Sequence, residues 1–500
     1  MGVDVGSQGT CVQVLTAGGE LLRTEYAAHA LSYPRPGWAE QDCDEWLSAL
    51  VETLSALRGL PIAALSFGSQ LDGLVAADAD GRALRPALIW SDRRGGAECA
   101  AVADGERLRE LTGCNVDPGH VAAKIAWLRA HEPETHAAAA WFLPPGAWVA
   151  WRASGRLAVD PSNASSTGLL DPRTRAWSHE ACDAWSVDPA RLPEVLPAHA
   201  VLGPVAPWLR DATGLPADTL VVLGAGDEMA ATLGAGVIEP GTVCDVMGTA
   251  EPVCAVVAEP AFDPTGVVEL HPSADPDTWL LENPGWLSGG AYRWFRDELG
   301  GPESARAAAD GLDVYELLNE LAQCAPPGAD GVTWVPALAG AMAPEWNARA
   351  RGGWFGLTAA HHRSHLARAL LEGNALALRD VIEAIAAAGH PPREIVCVGG
   401  GAKGRLLCEL RAHVTGLPVS RPDDVETTAR GAAMLAAAGA GLHASVADAA
   451  RAMAGPREHS CAPDPLLRET YDALHRRHRA VYAALRPLFD SEWSNGAAPQ

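Results

Sequence analysis

Lysine is almost missing from this chain: of 38 basic residues only Lys124 and Lys403 are lysines. Both follow alanine, so no Gly-x-x-x-x-Gly-Lys-[Ser/Thr] phosphate loop exists and that class of nucleotide-binding enzyme is excluded. An ammonium is not interchangeable with a guanidinium at a packed site, which marks the two survivors for attention. Long apolar runs are missing too. No stretch of 18 apolar residues lacks a charge, and the chain does not open on a basic segment followed by an apolar one, which argues against a spanning helix and an export signal. The eleven cysteines are scattered without a Cys-x-x-Cys pair, so neither a disulfide framework nor a zinc knuckle is indicated. Reduced thiols in a cytoplasmic protein are the expectation. Positive charge is scarce, with 38 basic against 62 acidic residues and a net charge of −24. Such a surface repels phosphate backbones and anionic lipid, so no nucleic acid and no membrane are expected as partners.

What is present is a chain able to bury a core. It is 48% hydrophobic and, at 500 residues, exceeds what one core organises, which favours two lobes around a cleft. It opens with strand, small-residue turn and strand, GVDVGSQGTCVQVL, then a Gly18-Gly19 turn into a further strand. The same grammar recurs at GTVCDVMGTAEPVCAVV, so that Asp4-Val5-Gly6-Ser7 and Asp245-Val246-Met247-Gly248-Thr249 read as one hairpin used twice, once per lobe. Amphipathic helices are expected at 44–59 and 122–134, and a strand through IAALSFGSQLDGLVAAD. A strand, Gly-rich turn and helix start near 220, where the lobe boundary is placed. The second lobe closes in βαβ form from REIVCV to an Ala-rich helix at 426–441, followed by a long C-terminal helix. The class is α/β, with lobes at 1–220 and 221–455, the C-terminal helix within 456–490, and a frayed tail at 491–500.

Two motifs compete for the chemistry. Gly399-x-Gly401-x-x-Gly404 lies between a strand and a helix, with Asp423 and Asp424 about twenty residues on, the setting of a dinucleotide fingerprint and of an NAD-dependent oxidoreductase. The turn Gly224-Ala225-Gly226-Asp227-Glu228 places an acid at a strand end, either as a helix cap or as a base facing a cleft. Two Gly-Ser/Thr hairpins, a carboxylate beside Gly6 and another at the hinge make up the parts needed for phosphoryl transfer, and hydride transfer needs none of them. His361, His362 and His365 have spacing that could ligate a metal, but no acid or cysteine cluster adjoins them. Asn163-Ala164-Ser165 is a glycosylation sequon by pattern only.

Nine segments stand in order along the chain: GVDVGSQG at 2–9, PGWAEQD at 36–42, GSQLDG at 68–73, LRPALIWSDRR at 84–94, HVAAKIAWLRAHEP at 120–133, DPSNASSTGLLD at 160–171, GAGDEMAATLGAGV at 224–237, GGWFGLTAAHHRSHLARALLEG at 352–373 and GGGAKG at 399–404. Together they resemble the FGGY carbohydrate kinases, xylulokinases most of all. The resemblance implies an actin-like fold of two ribonuclease-H-like lobes, with nucleotide and sugar in the cleft, and ATP and Mg2+ as cofactors. It implies Asp227 as catalytic base and Asp4 as the Mg2+ carboxylate. Gly6, Ser7, Gln8, Gly248 and Thr249 would line the phosphates, while Gly400, Gly401, Ala402 and Lys403 would approach the adenosine. Gln70, Leu71, Asp72, Trp90, Asp227 and Glu228 would meet the sugar. A small sugar or polyol is the expected partner, D-xylulose first, and a homodimer is an open assembly.

Three positions depart from the family pattern. Asp72 stands where xylulokinases have histidine and resembles polyol kinases as much. Cys11 stands where a basic residue usually follows the first phosphate loop, with Arg93 and Lys403 as candidate replacements. Only three residues precede Asp4, which implies a start further upstream. The different-class alternative is a catalytically weak sugar sensor built on the same cleft.

Overall fold

The computed structural model describes residues 1–457 and 459–491; the expected tail at 491–500 falls, apart from its first residue, outside them. A first sheet is built from β1 (Gly2–Val5), β2 (Gly9–Leu15), β3 (Leu21–Ala28), β4 (Ala64–Ser69), β5 (Val201–Pro204) and β6 (Leu220–Val222) in the order β5-β6-β4-β1-β2-β3. The second holds β7 (Thr242–Val246), β8 (Val253–Val257), β9 (Glu269–Pro272), β10 (Trp279–Asn283), β11 (Glu394–Val398), β12 (Val419–Arg421) and β13 (His459–Cys461) in the order β9-β10-β8-β7-β11-β12-β13.

Within each sheet the same five-strand unit appears. β1 runs antiparallel to β2 and β2 to β3, while β1, β4 and β6 are parallel. In the second lobe β7 is antiparallel to β8 and β8 to β10, while β7, β11 and β12 are parallel. The hairpins read from sequence are thus the antiparallel halves of two copies of one topology, and the two-lobed actin-like architecture is present. The central parallel strand β4 is buried on both faces, as its unbroken apolar and small composition requires.

Seven helices matter for the site: α1 (Cys43–Ser55), α2 (Val121–His131), α3 (Asp227–Gly234), α4 (Arg363–Ala387), α5 (Arg405–Thr415), α6 (Thr428–Gly439) and α7 (Arg468–Ser491). α3 and α6 cross where the lobes meet, and glycine sets their separation. A Cβ on Gly431 would lie 1.8 Å from the Ala230 carbonyl, and one on Gly2 would lie 1.7 Å from that of Ala429. Any side chain there would push α6 off both α3 and β1. Their apolar faces, with Met229, Leu233, Met434 and Leu435, join Cys244, Cys254 and Val396 of the second sheet in one buried cluster. α7 is tied to α4 by His475 and Arg479, each 2.7 Å from Asp380.

Two expectations shift. The stretch IAALSFGSQLDGLVAAD is not one strand: β4 ends at Ser69 and pairing resumes at Leu74, which bridges Leu88, before Val75–Ala77 pair in a separate two-stranded sheet. The break is set by Asp72, whose φ of +60° turns the chain out of the sheet. Pairing in the first sheet also continues past 220, through β6 and the two-residue strand Ala225–Gly226 beside β4.

Candidate active site

The ends of β1, β4 and the Ala225–Gly226 strand bring Asp4, the 70–72 turn and Asp227 together. Asp4 lies opposite Cys11 on β2 and Gly68 on β4. Its Oδ1 is buried and accepts no hydrogen bond among the described residues. Burial, followed by repulsion from Asp227 and Glu426, pushes its carboxyl well above the usual range. Asp245 holds the corresponding place in the second lobe, on β7 opposite Val253 and Cys397. There the buried Arg411 guanidinium sits 2.9 Å from Asp245 and 2.7 Å from Glu251. Of the two carboxylates related by the repeat, Asp245 has an arginine against it, shared with Glu251, whereas Asp4 has no basic partner among the described residues.

Asp227 opens α3, and its Oδ1 accepts the Glu228 N–H at 3.0 Å. Burial pushes its carboxyl up to about 7, the Glu228 amide opposes this, and Asp72 adds a smaller upward push. Glu228 is also driven up, by burial and by the neighbouring Glu282 and Asp227. The first hairpin turn is held from below. Gln41 donates to the Ser7 carbonyl at 2.7 Å, and Gln70 in turn donates to Gln41 Oε1 at 2.7 Å. Gln70 is therefore a buried support of the Gly6-Ser7-Gln8 turn, with its Oε1 unpartnered among the described residues. Trp90 is 46% exposed, not core, and its indole N–H donates to Ser7 Oγ at 3.0 Å, joining a sugar candidate to a phosphate candidate. Leu71 covers Gly226, beside Asp227.

The second hairpin turn is docked on the Gly399–Gly404 turn through backbone hydrogen bonds. Met247 donates to Val398 at 2.8 Å, and Gly401 donates to Met247 at 2.9 Å. A Cβ on Gly401 would lie 2.9 Å from that of Met247, so glycine is needed for the approach. Thr249, Gly400 and Lys403 are exposed at this rim, and Ala402 is buried beneath it.

Some readings find other partners here. Arg93, a candidate cation for the turn near Cys11, is engaged by Asp117 in a two-pronged ion pair. Lys124, fully buried, donates to the Asp72 carbonyl at 2.5 Å and also to that of Gly119; burial lowers it to about 8. It is a strut under the Asp72 turn. His361 and His365 accept nearby backbone N–H groups at the start of α4, and no three-ligand cluster among the described residues includes them or His362. Asn163 is buried, its amide 2.6 Å from Asp160, and closed to glycosylation. Sequence reading missed His120, placed 3.0 Å from Asp72 and 3.3 Å from Glu269 on β9. The available signal was the charge on β9 and β10, where Glu269, His271 and Glu282 interrupt otherwise buried apolar strands.

Among known proteins, the chain is similar over 98% of its length to the xylulose kinase of Escherichia coli (strain K12), at 30% identity and 99% of that protein. It is 32% identical to the glycerol kinase of Myxococcus xanthus (strain DK1622) over 95% of this chain and 98% of that one. With the gluconokinase of Bacillus subtilis (strain 168) the figures are 27%, 87% and 86%. The crystal structure of xylulose kinase from Rhodospirillum rubrum superposes with a TM-score of 0.88 at 30% identity, covering 98% of this chain and 99% of that one. Residues 1–234 match the N-terminal domain, and 243–440 the C-terminal domain, of the FGGY family of carbohydrate kinases, and this chain is a member of that family.

Proposed function

We propose that this carbohydrate kinase transfers the γ-phosphoryl group of ATP to a primary hydroxyl of a small neutral sugar or polyol, with D-xylulose the first candidate. The observation that carries the reading is Asp227: a carboxyl raised to about 7, at a strand end between the lobes, within the electrostatic reach of Asp4 and Asp72. A base with that affinity accepts a proton from a sugar hydroxyl as the oxygen attacks phosphorus, and is regenerated near neutral pH. Asp4 is the residue to hold Mg2+, because a cation would satisfy its unpartnered buried oxygen and relieve the repulsion from Asp227 and Glu426. When bound, Mg2+ offsets the charge of the phosphates. Gly6, Ser7, Gln8, Gly248 and Thr249 supply small-residue turns on both sides of the cleft, and the exposed Gly400 and Lys403 offer a rim for the adenosine. Trp90 offers an aromatic face to the C–H side of a sugar while its N–H fixes Ser7.

Asp72 bears on the choice of sugar. An ionised carboxylate accepts hydrogen bonds and cannot donate them, so it fits a neutral substrate with hydroxyl donors better than a sugar acid. The glycerol kinase and gluconokinase among the relatives keep a polyol or a sugar acid as second readings. Release of ADP measured across ketopentoses, pentitols, tetritols, glycerol and gluconate separates them. Turnover with D-xylulose or another neutral member is expected. Preference for gluconate overturns the substrate class, and ADP release independent of any sugar overturns the whole reading.

A further inference from the structure

Asp72 does not stand alone. Its Oδ1 lies 3.0 Å from His120 Nδ1, which also faces the Ser166 carbonyl at 2.9 Å. On the other side of the ring, Nε2 lies 3.3 Å from Glu269 Oε1, an oxygen that already accepts the Asn115 N–H at 2.6 Å. The Ser166 carbonyl can only accept, so Nδ1 carries a proton, and a second proton on Nε2 would pair the ring with Glu269 as well. Burial alone would hold the ring neutral, but the Glu269 and Asp72 carboxylates outweigh it and push the histidine well above its usual value. The backbone of Asp72 is fixed as well, with φ at +60° and its carbonyl tied to Lys124. What remains free to meet a ligand is the other face of a carboxylate whose side chain is 23% exposed.

We propose that His120 is a positioning residue that determines sugar specificity, aiming the Asp72 carboxylate as a charge-compensated acceptor for two neighbouring hydroxyls of a neutral substrate. Resting on the proposed function, this names how the sugar subsite is built. Asp72 stands where the xylulokinase pattern has histidine, and in this chain a histidine lies behind the acid. Because Glu269 belongs to the second lobe and Asp72 to the first, the same ring also joins the sugar turn to the opposite side of the cleft.

Two amide replacements separate these contacts. The asparagine nitrogen lies near the place of Nδ1 and the glutamine nitrogen near that of Nε2. His120→Asn therefore keeps a donor for Asp72, and His120→Gln keeps one for Glu269. With the preferred neutral sugar, His120→Gln should raise the sugar KM at least tenfold with kcat within threefold. His120→Asn should stay within threefold of the parent, and neither should move the ATP KM. Asp72→Asn should raise the sugar KM comparably, and adding His120→Gln to it should cost less than a further threefold, since both act through one contact. The reverse ranking, an unchanged sugar KM in His120→Gln, or full additivity overturns the proposal while leaving the kinase reading intact. If His120→Gln fails to fold, His120→Ala takes its place in the cycle with Asp72→Asn, because only a variant that loses the Asp72 contact can show non-additivity, and full additivity there overturns the proposal. A parent enzyme that releases no ADP with any sugar overturns both readings together.

Discussion

Replacing Asp227 with asparagine keeps the size of the side chain and its bond from the Glu228 amide, but removes the proton acceptor. A positioned general base is worth roughly 10²–10⁴ in rate, or about 3–5 kcal/mol of barrier, so kcat should fall by that factor with little change in sugar affinity. With the carboxyl at about 7, the kcat/KM of the parent should rise with pH through neutrality and level off above it, and the variant should lose this limb. Stability carries a second signature of opposite sign. A carboxyl raised from 3.8 to about 7 binds its proton more tightly in the folded state, so ionisation costs stability as pH rises through that window. The ceiling is ~4 kcal/mol above pH 7, and contact with the cleft reduces it to about 1–2 kcal/mol. Asp227→Asn should therefore melt a few degrees higher than the parent at pH 8, with the difference closing toward pH 4. Stopped-time ADP measurements and thermal melts at three pH values test both. Activity within tenfold of the parent, or a lower melting temperature at pH 8, would refute the reasoning.

The two lysines should behave differently. Lys124→Ala removes the strut under Asp72 and should lower the melting temperature by several degrees and raise the sugar KM, whereas Lys403→Ala should raise the ATP KM and leave the melt unchanged; identical kinetic effects would contradict both assignments. Asp4→Asn should raise the Mg2+ concentration needed for half-maximal rate at least tenfold, read from Mg2+ titrations at fixed ATP, and a parent-like titration would remove Asp4 from the metal site. Trp90→Phe keeps the ring and loses the N–H to Ser7, so the ATP KM should rise more than the sugar KM, while Trp90→Ala should raise both.

The repeated hairpins were legible because each is local: strand, small-residue turn and strand lie within twenty residues, and the repeat of Asp4 and Asp245 marks equivalent sheet positions. Packing around those two aspartates was not legible, since Arg411 reaches Asp245 from 166 residues away. The single strand expected through 62–78 failed because its apolar pattern continues across Asp72, and the left-handed turn there falls on an aspartate rather than a glycine. His120 escaped for a related reason. It lies 48 residues from Asp72 and 149 from Glu269, and no spacing rule joins the three. The Asp117 that pairs with Arg93 lies 24 residues further along the chain, and that pairing too was not readable from the sequence.

The central claim, that this cleft moves a phosphoryl group onto a sugar hydroxyl, is tested most directly by following the protein with ATP, Mg2+ and D-xylulose by 31P NMR. The account predicts a phosphomonoester signal, split by two protons as a primary CH2–O–P requires, growing in step with ADP. Inorganic phosphate growing in its place, with no monoester formed from D-xylulose or any neutral sugar of the panel, would contradict it.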